Sequence, residues 1–400
     1  MDSTGPAGRE PTGRAAPGRA PSRTKGWVIG RVAGAPVILT RSWFLAAAIL
    51  TLLFAPTVQR AAPQLGGGIY VVAFAFVLLL FGSVFLHEVA HALVARARGH
   101  EVTELAVTLW GGHTAYAGSS RRPLDGVLIS VVGPLTNLLL GGAFWLAFQA
   151  QAVLGVPALL LYAAAFANVF VGVFNLLPGL PLDGGQILES VVWAATGSRT
   201  RGTIAAGWVG RAVAVGIVVW ALTWPLSRGA QPDLFTVAWA ALIGAFLWSG
   251  AGSAMRAGRA REAVAAISVR ALAQPVVTVH PGSAVADAVR ALAAAPGARA
   301  LVLDPAGTPV AYVDDAAARS VPEADATRTP VSAVSVGLPP AARVDIEASG
   351  ADLVDHLAAT ARSTSLVVVT DAGRVVGALD VTRVIAALQS ARGGSRPARP

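Results

Sequence analysis

Five consecutive residues, His87-Glu88-Val89-Ala90-His91, carry the densest chemistry in this 400-residue chain. On a helix, positions i and i+4 lie about 40° apart, so both imidazoles reach one ion. Glu88 then stands beside that ion without ligating it, placed to take a proton from coordinated water. With six His and eight Glu in the chain, random order gives roughly 0.002 H-E-x-x-H occurrences, and the pattern is a zinc-site signature. The bland alternative is a polar cluster that packs a helix end. Two His leave a catalytic zinc site one ligand short, since three protein ligands and one open position are usual. Residues 126–182 hold no ionisable side chain except Tyr162, and the first carboxylate after them is Asp183. It lies in Asn175-Leu-Leu-Pro178-Gly-Leu-Pro181-Leu-Asp183-Gly184-Gly185. The two prolines break a helix there, and the glycine pair permits a sharp turn. Asp183 is expected as the third ligand; a solvated Asp capping the next helix is the alternative.

The elements that position these residues are apolar. Hydrophobic residues are 54% of the chain, charged residues 13%, and the formal net charge is +9. An ordinary soluble domain carries roughly 25% charged residues. The composition excludes a disordered chain and argues against a soluble one. With no Cys, disulfides, thiolate metal sites and cysteine nucleophiles are excluded. Residues 42–59, 61–86 and 126–182 carry no charge. A crossing needs about 20 apolar residues, and six spans are expected near 42–58, 69–95, 125–148, 157–177, 207–226 and 234–253. His87, Glu88 and His91 fall near one end of the second, where ionisable groups are costly and functional.

Lys and Arg give the orientation. Seven fall in 1–41, four in 96–123, two in 183–206 and three in 256–261, against Arg60 and Arg228 in the opposite loops. The positive-inside rule makes both termini cytosolic in a multi-pass cell-membrane protein. His87, His91 and Asp183 then lie at one depth. The domain reading is a disordered basic tail (1–25), a membrane domain (26–255), a linker (256–272), an α/β repeat pair (273–388) and a second tail (389–400). A surface β-hairpin is expected at 26–41. In the repeats, Val276–Val279, Ala300–Leu303 and Val310–Val313 read as strands and Val285–Ala294 as a helix. The second copy reads as the helix Asp352–Ala361 with strands Leu366–Thr370 and Val375–Leu379.

The H-E-x-x-H within a span, followed by N-x-x-P-x-x-x-L-D-G, resembles the site-2 protease family of intramembrane zinc metalloproteases. Leu109-Trp110-Gly111-Gly112 and Gly133-Pro134-x-x-Asn137 also match that family's patterns. The tail resembles a cystathionine-β-synthase (CBS) domain pair, as in the bacterial subgroup that carries one. The resemblance implies an α-helical polytopic membrane protein with a C-terminal α/β CBS-like pair. It implies one Zn2+ per chain on His87, His91 and Asp183, with Glu88 as general base. Asn137 and Asn175 are candidates for orienting substrate or the oxyanion; buried Asn residues bonding neighbouring helices are the plain alternative. In the CBS family an Asp near the last strand binds a nucleotide ribose. Arg383 and Ala317 stand at those positions here, which puts adenine-nucleotide binding in doubt.

A substrate span must unwind before its carbonyl is reachable, and open backbone in lipid is costly. A β-edge lessens that cost. The hairpin at 26–41 and the alternating stretch Glu104–Tyr116 are the two candidates; His113 is left outside the site. The implied substrates are single-span membrane proteins, anti-sigma-factor-like by family analogy, in regulated intramembrane proteolysis. Membrane lipid and a second copy through the CBS pair are the other expected partners, and nucleic acid is not. Two rivals are weighed: a CBS-gated transporter or channel, and a zinc-binding pseudoprotease scaffold.

Overall fold

In lipid, a charge-free apolar run has one local way to satisfy its own backbone, the helix. The computed structural model describes residues 24–108, 111–117, 122–153, 155–361 and 363–393. Six of the described helices are long and apolar enough to cross a membrane. They are α1 (Arg41–Ala61), α2 (Ile69–Ala97), α3 (Pro123–Gln149), α4 (Val156–Asn175), α6 (Arg199–Ser227) and α7 (Leu234–Ala265). The protein is a multi-pass helical membrane protein. All but residues 24 and 25 of the first expected tail lie outside the described residues, as do Leu109 and Trp110. The second tail does not begin at 389, because the helix Val381–Gly393 runs through its first five residues; the remainder lies outside the described residues. The chain divides into two units between Gly258 and Arg259.

Three boundaries differ from expectation. The fifth span starts at Arg199, so Arg211 lies inside α6. The sixth does not stop near 253; Ala, Arg and Glu are good helix formers and carry α7 to Ala265. Residues 183–206, read above as a connecting loop, contain a further amphipathic helix, α5 (Asp183–Thr196), ended by Gly197 in the left-handed region at φ 71°. Glycine takes that conformation without strain.

A four-stranded sheet joins the two segments expected to offer β-edges. Its order is β1 (Trp27–Val32), β2 (Ala35–Leu39), β3 (Glu101–Thr108), β4 (Gly111–Ala117). Ala33 and Gly34 turn the first hairpin with positive φ at both positions, as the strand twist favours. β2 runs parallel to β3, and β3 antiparallel to β4, which forms an edge. Ala35, Val37 and Leu105 of the sheet pack with Ala92 and Ala95 of α2 and Ile129 of α3.

The C-terminal unit repeats one pattern. β5 (Val276–Val279), the helix Val285–Ala294, β6 (Arg299–Leu303) and β7 (Pro309–Val313) are followed by the short strand β8 (Ser335–Gly337). β9 (Arg343–Asp345), the helix Gly350–Thr360, β10 (Leu366–Asp371) and β11 (Arg374–Asp380) form the second copy. In each, the first strand lies parallel to the second and the third antiparallel to it. This is a CBS-like pair. Leu301 of one copy packs with Leu366, Val368 and Ala378 of the other. Arg299 also joins them, pairing with Asp315 at 2.6 Å and with Asp380 at 2.7 Å. Asp314 accepts the Ala317 and Ala316 N–H groups, which hold its carboxyl below the usual carboxylate range.

Leu301 is fully buried, so Leu301→Ala removes packing shared by both copies at a cost of about 2–5 kcal/mol. Hydrogen exchange of the β10 amides should accelerate accordingly; an unchanged rate would refute the shared core.

Candidate metal centre

α2 presents His87 and His91 one turn apart, with ring centroids 4.6 Å from each other and Nε2 atoms 3.0 Å apart. The Asp183 Oδ2 atom lies 3.1 Å from the first Nε2 and 3.5 Å from the second. All three residues are buried. Four-coordinate zinc with bonds of about 2.0–2.2 Å sets neighbouring ligand atoms about 3.3–3.6 Å apart. The three observed separations are close to that spacing.

The tautomers agree. Asn137 points its amide nitrogen at Asn168 Oδ1 (2.9 Å), so its oxygen faces His87 Nδ1 at 2.5 Å and accepts the proton there. His91 Nδ1 donates to the Ile129 carbonyl at 2.6 Å. In the neutral rings both Nε2 atoms would then present lone pairs on the side of the carboxylate. An oriented imidazole of this kind is the usual metal ligand. The donor set and its geometry fit Zn2+.

Local sequence explains how Asp183 arrives. α4 ends at Asn175, and residues 176–182 are irregular. Pro178 and Pro181 cannot donate to a helical ladder. Leu180 N donates to the Ala206 carbonyl of α6 at 3.1 Å, which ties the loop to its neighbour. Asp183 then opens α5, where the positive helix end favours a carboxylate. Gly184 and Gly185 do not make the sharp turn that the sequence led one to expect; they lie in the first turn of α5. A Cβ on Gly184 would stand 2.3 Å from the Leu176 carbonyl oxygen, and one on Gly185 2.2 Å from Leu180 N. Their role is close approach of loop to helix. Gly133 does the same between α3 and the imidazoles: its Cβ would lie 2.3 Å from His91 Nε2 and 2.6 Å from His87 Nε2.

Glu88 is buried beside the pair, and its Oε2 accepts a hydrogen bond from Thr114 Oγ1 of β4 at 2.8 Å. The same hydroxyl lies 3.1 Å from the Glu88 carbonyl oxygen. A cavity of about 460 Å3 brings Glu88, His87, His91 and Asp183 together with Asn175, Thr114 and Gln186. Asn175 lies in that lining, its amide nitrogen donating to Val171 O at 3.1 Å. Asn137 does not; it is buried and turned to His87. His113 lines the cavity but sits 3.8 Å from Glu104, apart from the three-ligand cluster.

Sequence reasoning did not find Thr114, Gln186, Asn168 or Ser83. Asn168 donates to Ser83 Oγ at 3.0 Å and to Ala164 O at 2.9 Å, and Ser83 donates to Leu79 O. For Asn168 and Ser83 the available signal was a polar side chain inside a charge-free span; Thr114 and Gln186 lie outside those spans. Two ion pairs brace the same end of the bundle. Arg98 after α2 meets buried Asp125 of α3 at 2.6 Å, and Arg199 of α6 meets Glu189 of α5 at 2.8 Å.

Fold and centre together describe a polytopic membrane protein with a candidate zinc site. Residues 75–158 and 148–219 match the sequence profile described as Peptidase family M50. A protein of Synechocystis sp. that carries the name of a zinc metalloprotease is 32% identical over 266 residues, 63% of this chain and 66% of that relative. The matched stretch thus falls short of two thirds of the relative's length. The solved site-2 protease of Methanocaldococcus jannaschii is similar over 58% of this chain and 95% of its own, at 23% identity and TM-score 0.40. The CBS-pair protein CBSX2 of Arabidopsis thaliana matches 32% of this chain and 98% of its own, at 20% identity and TM-score 0.23. Over residues 75–219 the chain is similar to peptidase family M50, and its 32%-identical relative carries the name of a zinc metalloprotease.

Gly133→Ala should strip most zinc from the purified protein, measured by elemental analysis. Gly142→Ala on the same helix has open space around its Cβ and should leave zinc unchanged. Equal zinc in both would refute the close-approach argument. Asn168→Leu should weaken zinc about 10–100-fold by loosening Asn137, as outer partners of ligating His do; chelator competition reads this.

Proposed function

We propose that the chain is a zinc-dependent intramembrane endopeptidase that cuts transmembrane segments near the cytosolic face. The observation that carries this reading is the Glu88 carboxyl in one cavity with two imidazole lone pairs and a carboxylate, between membrane-spanning helices. One zinc per chain is held by His87, His91 and Asp183. A zinc ion so held supplies Lewis acidity towards water and a peptide carbonyl.

The chain's own residues do the rest. Glu88 takes the proton from the attacking water and returns it to the leaving amine. Thr114 holds Oε2 of that carboxylate from β4 and fixes its orientation. Asn175, in the cavity wall, donates to the developing oxyanion. Asn137 acts through His87 rather than on substrate, since both ends of its amide are engaged. β4 is an edge strand along the same cavity. An unwound substrate segment pairs with it, so its freed backbone groups are satisfied at the moment of cleavage.

The substrates are single-span membrane proteins, in regulated intramembrane proteolysis. The arginine distribution supports cytosolic termini. The CBS-like pair lies on that side and serves self-association of the chain. Arg383 and Ala317 stand where a ribose-binding Asp would be expected, which argues against a nucleotide ribose there.

Glu88→Gln should lower cleavage of a co-expressed single-span reporter at least 100-fold while zinc content stays at wild-type level. Cleavage retained within a few-fold would remove Glu88 from the role of base. Zinc lost together with activity would move Glu88 into the ligand set.

A further inference from the structure

A second polar feature sits within the membrane unit, away from the metal cavity. Arg211 of α6 lies inside a membrane-spanning helix. Its guanidinium stands 5.1 Å from the Trp208 ring and 4.6 Å from the Trp248 ring of α7. Its Nε is buried with no hydrogen-bond partner. Arg256 of α7 reaches the same place. Arg211 Nη2 and Arg256 Nη1 each lie 3.3 Å from the point where a Cβ on Gly252 would sit. Arg256 also donates to Ser253 Oγ at 2.9 Å. Among the described residues no carboxylate is within ion-pair distance of either guanidinium. Two like charges converge, and what they lack is an anion.

The neighbouring surface fixes what kind. Immediately along the same two helices runs an apolar groove of about 310 Å3, lined by Val215, Val218, Val219, Gly244, Ala245 and Trp248. Gly244 keeps it open at one wall: a Cβ there would lie 3.0 Å from Val218. Val215, Val219 and Trp248 are exposed, so the groove faces the lipid. Roughly 24 Å of helix separates Arg211 from Ser227 at 1.5 Å per residue. That is somewhat less than the hydrocarbon core of about 30 Å, which puts the guanidinium at the boundary where long cationic side chains reach headgroups.

We infer that α6 and α7 form a binding site for one anionic phospholipid, with its phosphate bridging Arg211 and Arg256 and an acyl chain in the groove between the helices. A charge-assisted phosphate contact supplies the Arg211 Nε–H and the paired guanidinium forks with acceptors. Trp208 and Trp248 hold the Arg211 plane from two helices. Neither half of the site explains the other: the groove alone accepts any lipid, and the arginine pair alone accepts any phosphate.

Native mass spectrometry of the full-length protein in detergent tests the inference. Dioleoylphosphatidylglycerol, dioleoylphosphatidylcholine and inorganic phosphate are the probes. The expected result is one tightly retained phosphatidylglycerol, held at least fivefold better than phosphatidylcholine and not displaced by millimolar phosphate. Arg211→Gln with Arg256→Gln should abolish the preference. Ala245→Trp, on the exposed wall of the groove, should weaken retention with both arginines in place, and Arg256→Gln alone should do so if the double variant fails to fold. Equal retention of the two lipids, or retention unaffected by all three variants, would overturn the site. Displacement by phosphate would show a free-anion site and overturn the lipid assignment. Zinc content, measured in parallel, should match wild type throughout.

Discussion

Three electron-rich atoms, two imidazole nitrogens and one carboxylate oxygen, face each other across about 3 Å of buried space. In a site shielded from water that arrangement is repulsive unless a cation sits among them. The architecture of the membrane unit serves this confrontation. α2 supplies two of the atoms from one turn. α5 supplies the third from its positive end. α3 passes close enough to hold both rings only because position 133 has no side chain. The same crowding that makes the centre costly without a metal makes it selective for a small, tightly ligated one.

The irregular stretch between α4 and α5 is the other half of that arrangement. Broken backbone at membrane depth is tolerated where protein covers it or a cavity adjoins it. Here both hold. Leu180 bonds to α6, Gly179 packs against Gly210, and Pro181 lies over Gly250 of α7. The small residues of α6 and α7 make room for a loop that in turn delivers Asp183. The two ion pairs at this end, Arg98–Asp125 and Arg199–Glu189, tie α2 to α3 and α6 to α5.

Much of this was legible in the sequence because its signals are local. His87, Glu88 and His91 are fixed by helical spacing. Charge-free runs mark the spans, and the strands Val276–Val279 and helix Val285–Ala294 follow from short-range pattern and match their observed bounds. What escaped was non-local or ambiguous. The parallel pairing of β2 with β3 joins residues far apart in the chain, and no local pattern encodes it. Helix α5 was missed because its apolar face is interrupted by Asp183, Gly184, Gly185 and Glu189. The glycine pair read as a turn, since a sequence does not distinguish freedom of φ from absence of a Cβ. Asn137 matched a motif, but which way its amide points depends on Asn168, on another helix.

That last dependence reaches further. From Ser83 through Asn168 and Asn137 to His87, every donor in the chain of hydrogen bonds points the same way, and Asn168 is anchored to the Ala164 carbonyl as well. Moving the His87 proton from Nδ1 to Nε2 would need the Asn137 amide to reverse, then the Asn168 amide, which would set its oxygen against a backbone oxygen. The imidazole is therefore tautomer-locked by a residue on a different helix. A polar array of this kind acts as a keyed latch: it holds a proton on Nδ1 and leaves Nε2 facing the Asp183 carboxylate.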